Sequence, residues 1–286
     1  MKKILYAIIL LNFVLSAEAQ QTQKGLLWEI SGKDLQKPSY IFGTLHIICP
    51  DKFFVPAHTK ESFEATSQLF LEIDMDDPSM MMKAQKLMFS ADGKKLKDLM
   101  QEADYKLFSE YFKKTAGMDV AMFGSAKPLL YMSLAMAKSA GCPTPKSYEE
   151  YFMSEAKTAQ REVLGLETLE DQIGMMDKSP MKQQLDWLLD LVKESEKGNE
   201  VYEQMLVLYK DQDTEMLTKM IAEKMVGMKG LEEEMLDNRN QRWIPIIEKN
   251  IKEKPTFFAV GAGHLGGEKG VLALLRKQGY KVSHVE

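Results

Sequence analysis

The chain carries one short design twice. "YIFGTLH" (residues 40–46) and "FFAVGAGH" (257–264) each run an apolar stretch into a glycine, then two residues, then a histidine. An apolar run of this length, closed by glycine, reads as a buried strand, so each histidine stands just past a strand end. Ligands bind at that place in open α/β sheets, because side chains converge there with no helix in the way. The glycines let the backbone turn tightly and leave room beside each imidazole. Of four histidines in the chain, two fall in these matching contexts, which is more than background.

The rest of the chain is consistent with such a sheet. Strand-like runs occur at Leu26–Ile30, Tyr40–Thr44, Leu69–Asp74, Glu162–Leu166 and Thr256–Gly261, with Tyr280–Val285 as a sixth. Gly32 and Pro38 mark a turn between the first two, which predicts a hairpin. Helical periodicity covers Lys127–Ala140, Tyr148–Gln160, Met181–Lys197, Glu200–Lys210, Thr214–Met225 and Gly267–Gln278. Residues 79–160 hold no convincing strand. The expected fold is α/β (α+β), a mixed central sheet flanked by helices, with a mostly helical insertion between the third and fourth strands. The methionines, 21 in all, include Met80, Met81, Met82, Met132, Met136, Met216 and Met220 in helical segments, where spacing predicts core filling or a deformable groove.

Lys2, Lys3, the apolar stretch Ile4–Leu15 and Ala17-Glu18-Ala19 have the order of a secretory signal peptide. Cleavage is expected between Ala19 and Gln20, leaving a single exported domain, 20–286, periplasmic or secreted. No later run reaches the roughly 18 apolar residues of a membrane span, so no integral membrane segment is expected after cleavage. The net charge of −5 lacks the basic footprint of a nucleic-acid partner. Cys49 and Cys142 fit a disulfide in an oxidising compartment or two buried thiols, and a catalytic Cys49 is a third reading.

Residues 261–266, "GAGHLG", also match the dinucleotide pattern G-x-G-x-x-G. That reading needs a βαβ unit and an acid about twenty residues on for the ribose, whereas one strand-like run follows here. An exported protein also meets little NAD. The histidine in the loop is the stronger signal.

Acidic residues mark two further strand ends. "LFLEIDMDDP" sets Glu72 and Asp74 two apart, hence on one face of the strand or its exit, where an apolar strand makes an unpartnered carboxylate costly. Exposure at a sheet edge is the alternative. Glu167 follows the fourth strand in "EVLGLETLEDQ", where Thr168-x-x-Asp171 also resembles a capping box. Arg239 and Asn240 precede Trp243 in a charged helical stretch. There is no HExxH helix and no G-x-S-x-G nucleophile elbow. His58, in a loop after Pro56, and His284, in the last strand, read as structural or solvated.

The paired Gly-x-x-His motifs, the "LEID" strand, the "GLET" segment and Arg239-Asn240 resemble the TraB/GumN (PrgY) family over roughly residues 25–285. That family includes Tiki metalloproteases and belongs with the erythromycin-esterase and ChaN-like superfamily. The resemblance implies a divalent-metal peptidase site with His46, Glu72 and His264 as ligands. Glu167, Arg239 and Asn240 match family positions with less defined roles. Two imidazoles and a carboxylate form a borderline N/O set compatible with Mn, Co, Zn or Fe. Asp74 or Glu167 then stands as general base or as partner to a ligand histidine, and Arg239 as a clamp on a substrate carboxylate or an oxyanion. The implied partner is a peptide or protein substrate. Two alternatives keep the same pocket, namely capture of a peptide or haem/iron ligand without turnover, and a metal-free esterase using a histidine base.

Overall fold

The computed structural model describes residues 24–224, 231 and 233–286. The expected signal segment, 1–19, and its cleavage site lie outside the described residues. Six strands form one sheet: β1 (Leu27–Ser31), β2 (Ser39–Thr44), β3 (Gln68–Ile73), β4 (Glu162–Glu167), β5 (Thr256–Gly261) and β6 (Lys281–His284). These are the six strands expected, with bounds moved by a residue or two. The helices are α1 (Thr59–Glu64), α2 (Met80–Met88), α3 (Leu96–Leu99), α4 (Glu102–Ala116), α5 (Pro128–Ser139), α6 (Tyr148–Thr158), α7 (Leu169–Asp177), α8 (Met181–Lys193), α9 (Ser195–Lys210), α10 (Thr214–Lys224), α11 (Asn238–Glu253) and α12 (Val271–Lys277).

The sheet runs β4-β3-β5-β2-β1-β6. Strands β4, β3, β5 and β2 are mutually parallel, while β1 pairs antiparallel with β2 and with β6, so the fold is mixed α/β with the β1–β2 hairpin in place. Side chains alternate between two cores, as the pleat requires. Tyr40, Phe42, Leu69, Leu71, Phe257 and Ala259 face one layer, formed by α6, α9 and α10 through Phe152, Tyr209 and Leu217. Ile41, Phe70, Phe258 and Val260 face the other, formed by α11 and α12 through Trp243, Ile247 and Leu275. Burial on both faces explains why these strands read as continuous apolar runs rather than alternating ones.

A third core joins α4, α5 and α8 through Phe108, Phe112, Tyr131 and Leu188. The segment 79–160 contributes no strand to the sheet, but it is not self-contained, because α5 packs on α8 and α9 and α6 lies directly on the sheet. The run expected as one helix over Met181–Lys197 breaks at Glu194 into α8 and α9. The capping box at Thr168 and Asp171 is present at the start of α7.

Cys49 and Cys142 form a disulfide with α-carbons 5.9 Å apart, which removes the free-thiol and catalytic-Cys49 readings. The methionines divide. Met132 is buried as spacing predicts, whereas Met81 and Met82 on α2 are 81% and 68% exposed and Met136 and Met216 are also exposed. Helix α2 buries no side chain fully: its face toward α7, with Met80, Ala84, Leu87 and Met88, is half-buried, and Met81 and Met82 lie outside it. Among the described residues, no helix is long and apolar enough to cross a membrane.

Candidate functional site

Because β4, β3, β5 and β2 are parallel, their carboxyl ends share one edge of the sheet. They deliver Glu167, Glu72, His264 and His46 respectively. Glu72 lies two residues after Phe70 and so turns toward the α11 layer. It is 6% exposed. Its Oε1 accepts the Gly261 N–H at 2.8 Å, and its Oε2 accepts from Arg239 Nη2 and from Gln172 Nε2 at 3.1 Å. Burial pushes this carboxyl up, but Arg239, the two imidazoles and the Gly261 N–H outweigh it and hold the group well below the usual carboxylate range.

Both motif histidines reach the same carboxylate oxygen. His264 Nε2 is 3.7 Å from Glu72 Oε1, and His46 Nε2 is 3.8 Å from it. His264 is buried, with its ring 4.5 Å from that of Trp243, and its Nδ1–H donates to Asn240 Oδ1 at 2.7 Å. Burial lowers its pKa to about 3, with Glu72 opposing and Arg239 assisting, so the ring is neutral and Nε2 keeps its lone pair. Arg239 Nη1 donates to that lone pair at 3.1 Å. His46 differs in being 58% exposed along its side chain. Its Nδ1 is 2.8 Å from Glu149 Oε1, and the charge of Glu149 leads the effects that raise its pKa to about 9.

Arg239, in the first turn of α11, is the hub between the acids, and it is 4% exposed rather than an open helix charge. Its Nε donates to Glu167 Oε1 at 2.8 Å, its Nη2 to both Glu167 and Glu72, and its Nη1 also to Met235 O. With its donors engaged inside the protein, its guanidinium has no free fork for a substrate carboxylate. Asn240 holds His264 on one side and donates to Lys269 O on the other.

Burial pushes Glu167 up, with Arg239 opposing; its Oε2 is buried without a close hydrogen bond and lies 3.9 Å from Arg242 Nη2. Glu167 lines a cavity of about 440 Å³ with Asp74, Met80, Leu169, Glu170 and Ile246. Gln172 joins this wall to the histidine cluster by donating to both Glu72 and Glu167. A smaller cavity of about 250 Å³ lies apart, in the helical lobe between Leu96, Pro128 and Met181. Neither Asp74 nor Glu167 is at a histidine Nδ1, since those places belong to Glu149 and Asn240. His58 begins α1 and pairs with Glu61, and His284, on β6 beyond β1, packs on Trp28.

Glu149 is the residue that sequence reading passes over. Its only local signature is Ser147 before two acids, an ordinary helix start, and its partner His46 is 103 residues away.

Gly261 tests whether these residues fit a cation. A Cβ at Gly261 would stand 3.2 Å from Glu72 Oε1, 3.4 Å from His46 Nε2 and 3.5 Å from His264 Cδ2. The absent side chain therefore leaves a space walled by two imidazoles and a carboxylate, the donor types of a divalent metal. Ligands bonded at about 2.0–2.2 Å stand roughly 3.3–3.6 Å apart at tetrahedral angles, so the 3.7 and 3.8 Å separations are a few tenths of an ångström wide. Among the described residues, no group of three His, Cys, Asp or Glu side chains is already drawn in to metal-holding distance. The donor types suit a divalent cation, while Arg239 Nη1 occupies the lone pair of His264 Nε2 in this structure.

Comparison with known proteins gives a consistent set of relatives. The chain is 23% identical to "Metalloprotease TIKI2" of Danio rerio over 93% of this chain and 62% of the relative. It is 24% identical to "Metalloprotease TIKI1" of Homo sapiens over 93% of this chain and 63% of the relative. It thus spans less than two thirds of the length of these curated relatives. No solved structure matches it. The family model described as the TraB/PrgY/gumN family matches residues 26–284, almost the whole of the described chain, and the protein belongs to that family.

Proposed function

We propose that the protein is an exported hydrolase that cleaves amide bonds in peptides with the help of a divalent cation held by His46, Glu72 and His264. The observation that carries this reading is the approach of both Nε2 atoms to one oxygen of Glu72, over a glycine whose missing side chain leaves the space open. The names of the relatives, metalloproteases, favour peptide over ester. A cation bound there lowers the pKa of water and polarises a carbonyl oxygen.

The residues around it have separable tasks. Asn240 keeps the Nδ1–H of His264 occupied, so that Nε2 carries the lone pair, which Arg239 holds in this structure. Arg239 neutralises Glu72 and Glu167 together and keeps Glu72 ionised. In this reading Glu167, whose pKa burial raises, takes a proton from water and returns it to the leaving amine. The cavity beyond Glu167, walled by Met80, Leu169 and Ile246, accommodates an apolar part of the substrate. Residues 20–286 act as a single domain after removal of 1–19.

The bond between Arg239 and His264 favours a second reading, capture of a peptide without turnover, because it blocks one ligand as the structure stands. Incubating the protein with a broad peptide library separates the two. The hydrolase cleaves, loses activity to a chelator, and recovers with added Mn or Co. A library left intact under every metal, with peptides tightly bound, establishes capture instead.

A further inference from the structure

We propose that Glu149 is a positioning residue for His46: its carboxylate takes the Nδ1 hydrogen and so turns Nε2 toward Glu72. The inference deepens the metal-site reading and rests on it only for the effect on cation affinity.

His46 needs such a partner because its side chain is far more exposed than that of His264. His264 is packed against Trp243 and buried, whereas the His46 side chain is 58% exposed. An exposed imidazole on a loop rotates about its side-chain bonds and exchanges tautomers freely. The contact that fixes it is with Glu149 Oε1 at 2.8 Å.

The hydrogen bonds around Glu149 decide which way that contact runs. The hydroxyl of Ser147 accepts from the backbone N–H of Glu149 at 3.1 Å and of Glu150 at 3.3 Å, so its own hydrogen is free to go to Glu149 Oε2 at 2.6 Å. Thr44 Oγ1 donates to Oε1 at 2.5 Å. An ionised carboxylate only accepts, and the first turn of a helix favours its charge. The hydrogen between Glu149 and His46 therefore belongs to Nδ1, and Nε2 is the atom left facing Glu72.

Glu149 is itself only 6% exposed, and burying a carboxylate is costly unless donors surround it. Those donors come from both sides of the contact. Thr44 belongs to the strand that delivers His46, and Ser147 to the helix start that delivers Glu149. The two segments are also fastened together. Ile48 and Lys146 exchange backbone hydrogen bonds at 2.9 and 2.7 Å, and Cys49 is joined to Cys142. A cross-link three residues after His46 and seven before Glu149 holds the histidine and its acceptor in register. The helical segment between β3 and β4 thus reaches the site through Glu149, although it supplies no ligand.

The test uses the full mature chain labelled with ¹⁵N-histidine, read by NMR, together with Zn affinity from competition with a chelator. The wild type should show a slowly exchanging Nδ1–H proton for His46. Glu149→Gln, whose amide oxygen still accepts, should keep that signal and bind Zn within about tenfold of wild type. Glu149→Ala should lose the signal and bind about 10–100-fold more weakly, with the His264 signals unmoved. Glu149→Asp keeps the charge but falls a methylene short, and should also lose the signal, which covers the case in which the alanine variant does not fold. An unchanged His46 Nδ1–H signal in the alanine or aspartate variant overturns the proposal, as does equal weakening by Gln and Ala. A wild type that binds no Zn sinks the metal-site reading alone, while the NMR comparison still decides the role of Glu149.

Discussion

The backbone N–H of Gly261 donates to Glu72 Oε1 at 2.8 Å, so the strand that delivers one histidine also aims the carboxylate. The same residue, having no side chain, leaves the space above that bond open. Hydrogen-bond geometry and absent volume therefore meet at one position.

Gly261→Ala tests that relationship. The backbone there has φ −51° and ψ 133°, which alanine adopts freely, so the fold should survive with a melting change within about 3 °C. The added methyl would stand between the Glu72 and His46 donor atoms and should weaken cation binding by about tenfold or more. A variant that binds cation as well as wild type shows that the open space over Gly261 is not where the ion goes.

Arg239→Ala should be the most destabilising single change at the site. It strips Glu72 of its closest cation and leaves Glu167 only Arg242 at 3.9 Å, and breaking such a buried arrangement costs about 3–5 kcal/mol. Arg239→Lys should recover little, because a single ammonium cannot span Glu72 and Glu167 as the fork does. Urea unfolding of the metal-free variants measures both. A loss under about 1 kcal/mol for the alanine variant contradicts this account of the hub.

The sheet was legible in the sequence and the web of polar contacts was less so, for physical reasons. A strand buried on both faces writes itself as an apolar run, as at Phe257–Val260, and a glycine at its exit marks a turn. The Thr168 cap was legible because its two partners are three residues apart. Glu149 was not, since its meaning depends on a segment stapled to it by a disulfide across 93 residues. Arg239 reads as one charge among the many of "EEEMLDNRNQR", because nothing local shows that its side chain meets Glu72 on β3 and Glu167 on β4. Met81 and Met82 sit in a helical run but off its half-buried face, which Met80, Ala84, Leu87 and Met88 form.

Cation uptake should depend on pH through His46. Its pKa is raised to about 9, chiefly by Glu149, so at neutral pH the metal-free ring carries a proton on Nε2. A ligand nitrogen must lose that proton, so binding should release about one proton and tighten by up to tenfold per pH unit until about pH 9. Calorimetry in buffers of different ionisation enthalpy reads the release. Uptake with no proton released contradicts a ligand role for His46.

Reducing the Cys49–Cys142 bond should destabilise the protein by about 2–4 kcal/mol, given the long loop it closes. Thermal unfolding with and without reductant measures this. An unchanged midpoint, with reduction verified by thiol titration, indicates that the Ile48–Lys146 pairing alone holds the two segments together.

The central claim is that His46, Glu72 and His264 hold one divalent ion. Metal analysis of the purified mature protein, after equilibration with Mn or Zn and removal of free ion, tests it most directly. The wild type should hold about one ion per chain, and that ion should be lost in His46→Ala, Glu72→Gln and His264→Ala variants that remain folded by circular dichroism. An ion content that is unaffected by these substitutions, or a wild type that cleaves peptides at full rate with no ion bound, contradicts it.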